Sequence, residues 1–138
     1  MNIEKIREHF VKDHYLTATG VQIDEVGEDY AVLSMDISEM HLNATGAVQG
    51  GAIFTLTDSA FAVVCNAGFV ESGEWQHKAT VAQSCNINFY RQPKGKRLIV
   101  RAECKQKGRV IGVYHHTVTD ELGTQVALMV GNAYTVSF

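Results

Sequence analysis

Apolar residues first recur at helical spacing. Ile3, Ile6, Phe10 and Val11, with Glu and Lys between them, predict a short amphipathic helix over residues 2–14. The period then changes. Val21–Val26 and Tyr30–Ile37 read as strands, and the turn-like Gly27, Glu28 and Asp29 between them make a hairpin. A loop, Ser38 to Val48, precedes a weakly polar run from Gly50 to Asn66. That run is too long and too alanine-rich for a strand. It predicts a helix that opens after paired glycines and closes near Gly68. Its apolar residues, among them Ile53, Phe54, Leu56, Phe61 and Val64, lie on nearly every side, so the helix must be buried.

Strand periodicity returns in the second half. Cys85, Ile87 and Phe89 alternate with Asn86 and Asn88, and Leu98, Val100, Ala102 and Cys104 alternate with Ile99 and the charged Arg101, Glu103 and Lys105. Two more strands follow at Val110–Thr119 and Gln125–Val136. Turn residues separate them: Pro93 to Gly95, Lys107 with Gly108, and Asp120 to Gly123. One apolar helix among antiparallel strands has an economical solution, in which the sheet curls around the helix. The expected class is α+β, a curved antiparallel sheet wrapped around a central buried helix. The outer face and edges of such a sheet invite a partner subunit.

At 138 residues the chain suits one domain over 1–138 with one core. Its charge of −3 gives no global attraction for nucleic acid or an anionic membrane, so any anionic ligand must meet a local basic patch. The apolar stretches read as too short to span a bilayer, and the charged N-terminus MNIEKIREHF is no signal peptide. A cytoplasmic protein is expected. Cys65, Cys85 and Cys104 are widely spaced and odd in number. They predict reduced, buried thiols rather than disulfides or a metal site.

Asp58 does not fit this pattern. A carboxylate in the middle of a buried helix costs several kcal/mol unless something compensates. It is either a satisfied aspartate bonded to Thr55 or Ser59, a residue on a turn that faces solvent, or a functional group. Gly50 and Gly51 stand where the helix should begin. Free backbone N–H groups there, with the helix dipole behind them, would suit the oxygen of an ester or thioester carbonyl, and glycine permits close approach. Eight residues of helix separate Gly50 from Asp58, a rise of about 12 Å. One helix cannot easily bring both to one carbonyl. Two antiparallel helices of a symmetric dimer can.

The stretch HLNATGAVQGGAIFTLTDSAFAVVCNAG, His41 to Gly68, resembles the signature of the PaaI-type hotdog thioesterases. That pattern runs Asn, two residues, Gly, two residues, His-Gly-Gly, then a helix carrying Leu-Ala-Asp. The downstream runs NINFYRQPKGKRL, KGRVIGVYHHTV and ELGTQVALMVGNAY also match. The resemblance implies a hotdog fold and thioester hydrolysis on acyl-coenzyme A, with no metal or redox cofactor. It implies Asp58 as general base or nucleophile and the Gly50 N–H as the donor that polarises the carbonyl. Asn43 would orient that carbonyl or the loop itself. A homodimer or homotetramer with active sites at the dimer interface is implied as well. Gln49 departs from the family histidine. It can donate a hydrogen bond but takes up no proton at neutral pH, so its expected role is positional. Some relatives use a hydroxyl from the strand after the helix. Ala82 falls there, with Thr80 and Ser84 expected on the same face.

The remaining candidates are weaker. Adjacent His115 and His116 should face opposite ways on a strand, which makes a poor metal pair. His41 is expected to support its loop. Ser59 lacks a nucleophile elbow. Among the basic residues of the second half, Arg91 and Arg109 are the candidates for coenzyme A phosphates, beside Gly51 at the helix terminus. The alternatives are an acyl-coenzyme A binding module without turnover, and a hotdog dehydratase.

Overall fold

The computed structural model describes residues 1–138. The expected first helix is two: α1, Ile3–Phe10, and α2, His14–Ala18. The break has a local cause. Asp13 adopts extended backbone and its side chain accepts the Leu16 N–H at 3.0 Å, so it caps a new helix instead of continuing the old one. Strands β1 (Val21–Val26) and β2 (Tyr30–Asp36) form the expected hairpin. A 3-10 turn at Glu39–His41 leads to α3, Gly50–Ser72. The strands β3 (Lys78–Phe89), β4 (Arg97–Lys107), β5 (Ile111–Asp120) and β6 (Gln125–Ser137) follow.

The helix α3 runs past Gly68 because nothing there stops it. It ends instead at Gly73, whose φ of +84° is the left-handed conformation that terminates helices. At 23 residues α3 is long and apolar enough to cross a membrane, longer than the sequence pattern implied, but more than half of it is buried by the protein's own sheet.

All six strands pair antiparallel in the order β1-β2-β4-β5-β6-β3. The sheet curls, and α3 lies on its inner face. Ile53, Leu56, Ala60, Val63 and Ala67 of α3 are buried with Leu33, Met35, Val100, Val118 and Met129 of the strands. The closest approach is at Gly131, where a Cβ would overlap the Phe61 ring. Asp120 ties the turns at one end of the sheet together. It is buried and accepts the N–H groups of Lys94, Gly95, Leu122 and Thr124. Burial alone would raise its carboxyl, but these donors hold it well below the usual carboxylate range.

The two sheet edges differ. At β1, the Arg7 guanidinium donates to the Ile23 carbonyl at 3.0 and 2.8 Å, so α1 occupies that edge. At β3 only Thr80 is covered, by the Asn66 side chain, and every residue from Val81 to Tyr90 except Ile87 is exposed. Cys85 is therefore exposed rather than buried as its alternation implied, and Cys65 and Cys104 are only partly buried. The alternation is real, but the face it marks is uncovered in a single chain.

The adjacent histidines separate as expected. His115 is partly exposed, whereas His116 is fully buried. Its Nδ1 lies 3.3 Å from the Met129 carbonyl, its ring packs on Phe61, and Nε2 has no partner. Burial pushes its pKa down to about 4, against the opposing pull of the Met129 carbonyl and with help from His115. The unfolded chain would bind this proton near pH 6.5, the folded chain only near 4. Stability should therefore fall as pH drops from about 6.5 to 4, by up to about 3 kcal/mol from this group. Thermal melting across that range should show the loss, and His116→Leu should melt with a flatter pH dependence. An equally steep profile in the variant would contradict this assignment.

Candidate active site

The loop before α3 is built by side chains that take over backbone roles. Asn43 Oδ1 accepts the Thr45 N–H at 3.0 Å, the Thr45 hydroxyl at 2.7 Å and the Ala47 N–H at 3.1 Å. Of its two expected roles, this geometry serves the loop. His41 is buried, with Nδ1 facing the Ser38 N–H at 3.0 Å and Nε2 facing the Thr19 carbonyl at 2.8 Å, so it anchors the loop as expected. The Gln92 side chain grips Val48 from across the fold. Its Oε1 accepts the Val48 N–H at 2.8 Å, and its Nε2 donates to the Val48 carbonyl at 3.1 Å.

These contacts fix where α3 begins. Gln49 is its N-cap residue, but the Gln49 side chain bonds no helix N–H. The N–H groups of Gly50 and Gly51 donate to no group of the chain. Uncapped donors with the dipole of a 23-residue helix behind them form an anion-favouring end. The Phe89 ring covers Gly50, so a Cβ there would lie 3.3 Å from it. Gly51 is exposed beside the Gln49 side chain.

Asp58 is exposed in the single chain, so the cost of deep burial does not arise. It lies on the one stripe of α3 that the sheet leaves uncovered. Thr55 and Ser59 do not satisfy it. Their hydroxyls donate to the backbone carbonyls of Gly51 and Thr55 at 2.8 and 2.7 Å. The carboxylate stands in a depression of about 200 Å³ walled by Phe61, Ala62, Thr80, Val81 and Ala82. This partly desolvated setting raises its pKa above the ordinary aspartate value, and the charge of Asp13 adds to the shift.

The facing strand is held by a second amide. Asn66 Nδ2 donates to the Thr80 carbonyl at 2.9 Å, and its Oδ1 accepts the Thr80 N–H at 2.8 Å. Thr80 and Ala82 share a face, as expected, but Ser84 does not join them. A bulge between Ala82 and Ser84 shifts the register, and Ser84 Oγ accepts from Asn132 on the opposite face. The Thr80 hydroxyl is already paired with Thr135 at 2.8 Å.

Arg91 and Arg109 stand at opposite ends of the sheet. Arg91 follows β3 and its guanidinium donates to the Gln125 carbonyl. Arg109 lies in the β4–β5 turn, at a groove of about 590 Å³ that also contains Lys78, Lys107 and Thr80. Within one chain they form no common patch. Gln92 and Asn66 were not found by sequence reasoning. Each is an ordinary amide whose backbone target lies 44 or 14 residues away, so only the folded chain reveals it.

A curved antiparallel sheet of six strands around one long helix is the hotdog fold. Residues 45–127 match the model of the thioesterase superfamily, and the chain belongs to that family. It is similar to the acyl-coenzyme A thioesterase PaaI of Escherichia coli strain K12, with 30% identity over 128 residues, 92% of this chain and 86% of the relative. It is also similar to a putative esterase of Archaeoglobus fulgidus, at 27% identity over 98% of this chain and 84% of that protein. The solved structure of the Escherichia coli PaaI protein from the phenylacetic acid degradation operon superposes with a TM-score of 0.84, at 28% identity, over 96% of this chain and 91% of that one. A point mutant of the phenylacetic acid degradation protein PaaI from Thermus thermophilus gives a TM-score of 0.76 at 27% identity, over 88% of this chain and 98% of that one.

If the Gln92 clamp sets the position of the helix terminus, Gln92→Ala should lower kcat for thioester cleavage by roughly 10- to 100-fold, since small displacements of a catalytic group are costly. Stability should fall by no more than about 2 kcal/mol, the net worth of two hydrogen bonds. Steady-state kinetics beside thermal melting measures both. A variant with unchanged kcat would show that the clamp is dispensable.

Proposed function

We propose that this chain is a single thioesterase domain that hydrolyses acyl-coenzyme A at sites shared between two subunits. The observation that carries the reading is Asp58, a carboxylate with no partner in its own chain, on the uncovered stripe of α3 beside the open edge of β3.

The free edge supports the pairing. The Tyr90 N–H donates to Val126, and alternation along β3 therefore turns the N–H groups of Cys85, Ile87 and Phe89 towards the edge. An antiparallel two-fold pairing of β3 centred near Cys85 places Val81 opposite Phe89 of the partner subunit. Val81 walls Asp58 and Phe89 covers Gly50, so each Asp58 meets the other subunit's helix terminus. The same pairing sets Arg91 opposite Ala79 of the partner subunit, next to the groove that holds Lys78, Lys107 and Arg109. The two basic sites separated in one chain then form one rim for the phosphates of coenzyme A.

In this arrangement the Gly50 N–H donates to the thioester carbonyl oxygen, and Gly51 leaves room for the substrate. Asp58 of the partner subunit takes a proton from water as the water oxygen attacks the carbonyl carbon. The tetrahedral oxyanion rests on the Gly50 N–H. When the carbon–sulfur bond breaks, coenzyme A leaves as a thiolate and takes up the proton. Alternatively, Asp58 attacks directly, the thiolate leaves, and water hydrolyses the resulting anhydride. Gln49 positions the substrate and Asn43 holds the loop. Thioester hydrolysis by either route requires no metal or redox cofactor.

Asp58→Asn should abolish most turnover, by about 10²–10⁴-fold if only base assistance is lost, while melting temperature and acyl-coenzyme A binding are kept. Near wild-type cleavage by this variant would end the mechanism. Because the Asp58 carboxyl sits above the ordinary aspartate value, wild-type activity should fall on acidification at a pH higher than that value. The assembly has its own check. The protein should sediment as a dimer or a dimer of dimers, and Ile87→Pro, which removes an edge-facing N–H, should shift it towards inactive monomers. A fully active monomer would rule out the shared site.

A further inference from the structure

The uncapped end of α3 opens into a cavity of about 280 Å³ to which the mechanism above assigns no part of the substrate. Tyr15, Met35, Met40, Gln49, Ala52 and Thr55 wall it. No lysine, arginine or carboxylate lines it, and both ring nitrogens of its one histidine, His41, are engaged by Ser38 and Thr19. The groove that shares Thr80 with the Asp58 depression is charged, with Glu28 and Glu74 beside three basic residues. It is about twice as large and carries Lys78, Lys107 and Arg109. The substrate of the proposed reaction is equally divided, with an uncharged acyl group on one side of the carbonyl and a polyanionic coenzyme on the other. We infer that the cavity at the α3 N-terminus is the acyl pocket, and that it selects compact, uncharged acyl groups of up to about eight carbons. The assignment rests on the thioesterase reading.

Position, size and lining support it. Gln49 and Gly51 flank the proposed carbonyl donor, so an acyl chain leaving that carbonyl enters the cavity directly. An apolar cavity of roughly 150 Å³ holds one benzene. A volume of about 280 Å³ therefore encloses such a group with a few more carbons, and a long fatty chain would run out past its walls. The two methionines adapt to aliphatic or aromatic shapes alike. Two walls come from outside the sheet–helix core. Tyr15 is on the short α2, where its hydroxyl lies 3.4 Å from that of Thr55, and Met40 is on the 3-10 turn and 62% exposed. Tyr15 and Met40 thus set the selectivity of a site whose reacting groups lie on α3.

The test is a series of coenzyme A thioesters: acetyl, hexanoyl, octanoyl, palmitoyl and the negatively charged succinyl. The wild-type protein should prefer hexanoyl and octanoyl to palmitoyl and succinyl in kcat/KM. Ala52→Leu should lower the octanoyl-to-acetyl ratio of kcat/KM by about tenfold or more, the discrimination that a filled methylene-sized space gives. Met40→Trp, at an exposed position that leaves the core untouched, should shift the ratio the same way. Cys65→Leu, in the charged groove, should leave the ratio unchanged. If Cys65→Leu shifts the ratio while Ala52→Leu and Met40→Trp do not, the acyl group lies in the other groove and the assignment is overturned. A preference for palmitoyl or succinyl overturns it too. A wild-type protein that cleaves none of the series refutes the thioesterase reading itself, an outcome distinct from either.

Discussion

The structure depends on one constraint: α3 is apolar on nearly every side, and a single sheet must cover it. Six strands curl far enough to bury Leu56, Ala60, Val63 and Ala67, but a sheet that ends at β3 cannot close around the last stripe. That stripe carries Gly51, Asp58, Ala62 and Cys65, and the strand beside it exposes almost its whole length. The uncovered helix face and the unpaired edge are thus one feature. An exposed, largely uncharged edge strand is a liability in a monomer. In the proposed dimer, pairing two such edges would remove the liability and bring together Gly50 and Asp58, which one helix holds about 12 Å apart.

The site is positioned by backbone hydrogen bonds made by side chains. Gln92 holds Val48 ahead of the helix terminus, Asn66 holds Thr80 across from Asp58, and Asn43 folds the loop between strand and helix. Each of these amides satisfies backbone groups that lie outside regular pairing, which keeps them from being left without partners. The groups left free are then informative. Gly50 and Gly51 have unused donors and Asp58 an unused acceptor, and the proposed mechanism draws on these free groups. Burial around Asp58 is partial, and it raises the carboxyl above the ordinary aspartate value.

Periodicity determined much of this from sequence alone. The order of elements, the antiparallel hairpins and the central helix follow from the spacing of apolar residues, because that spacing states which faces must leave water. Asp58 and the glycine pair stood out for the same reason, as local violations of an apolar pattern, and the roles proposed for them rest on the family resemblance of the stretch from His41 to Gly68. The sequence also implied two subunits, since helix rise fixes how far apart Gly50 and Asp58 must be.

What the sequence left open are relations between residues distant along the chain. The bulge at β3 turned Ser84 away from Ala82, and Asp13 broke one expected helix into two by capping the second. Alternation marked Cys85 as a face residue without saying whether anything covers that face. Arg91 and Arg109 were both candidates for the phosphates of one ligand, yet the strands between them carry them to opposite ends of the sheet. The amide clamps and the cavity walled by Tyr15 and Met40 have no local signature at all. Local pattern decides which side of a strand or helix is apolar. Only the tertiary structure decides what that side meets, because each such contact joins segments whose separation in sequence carries no periodic signal.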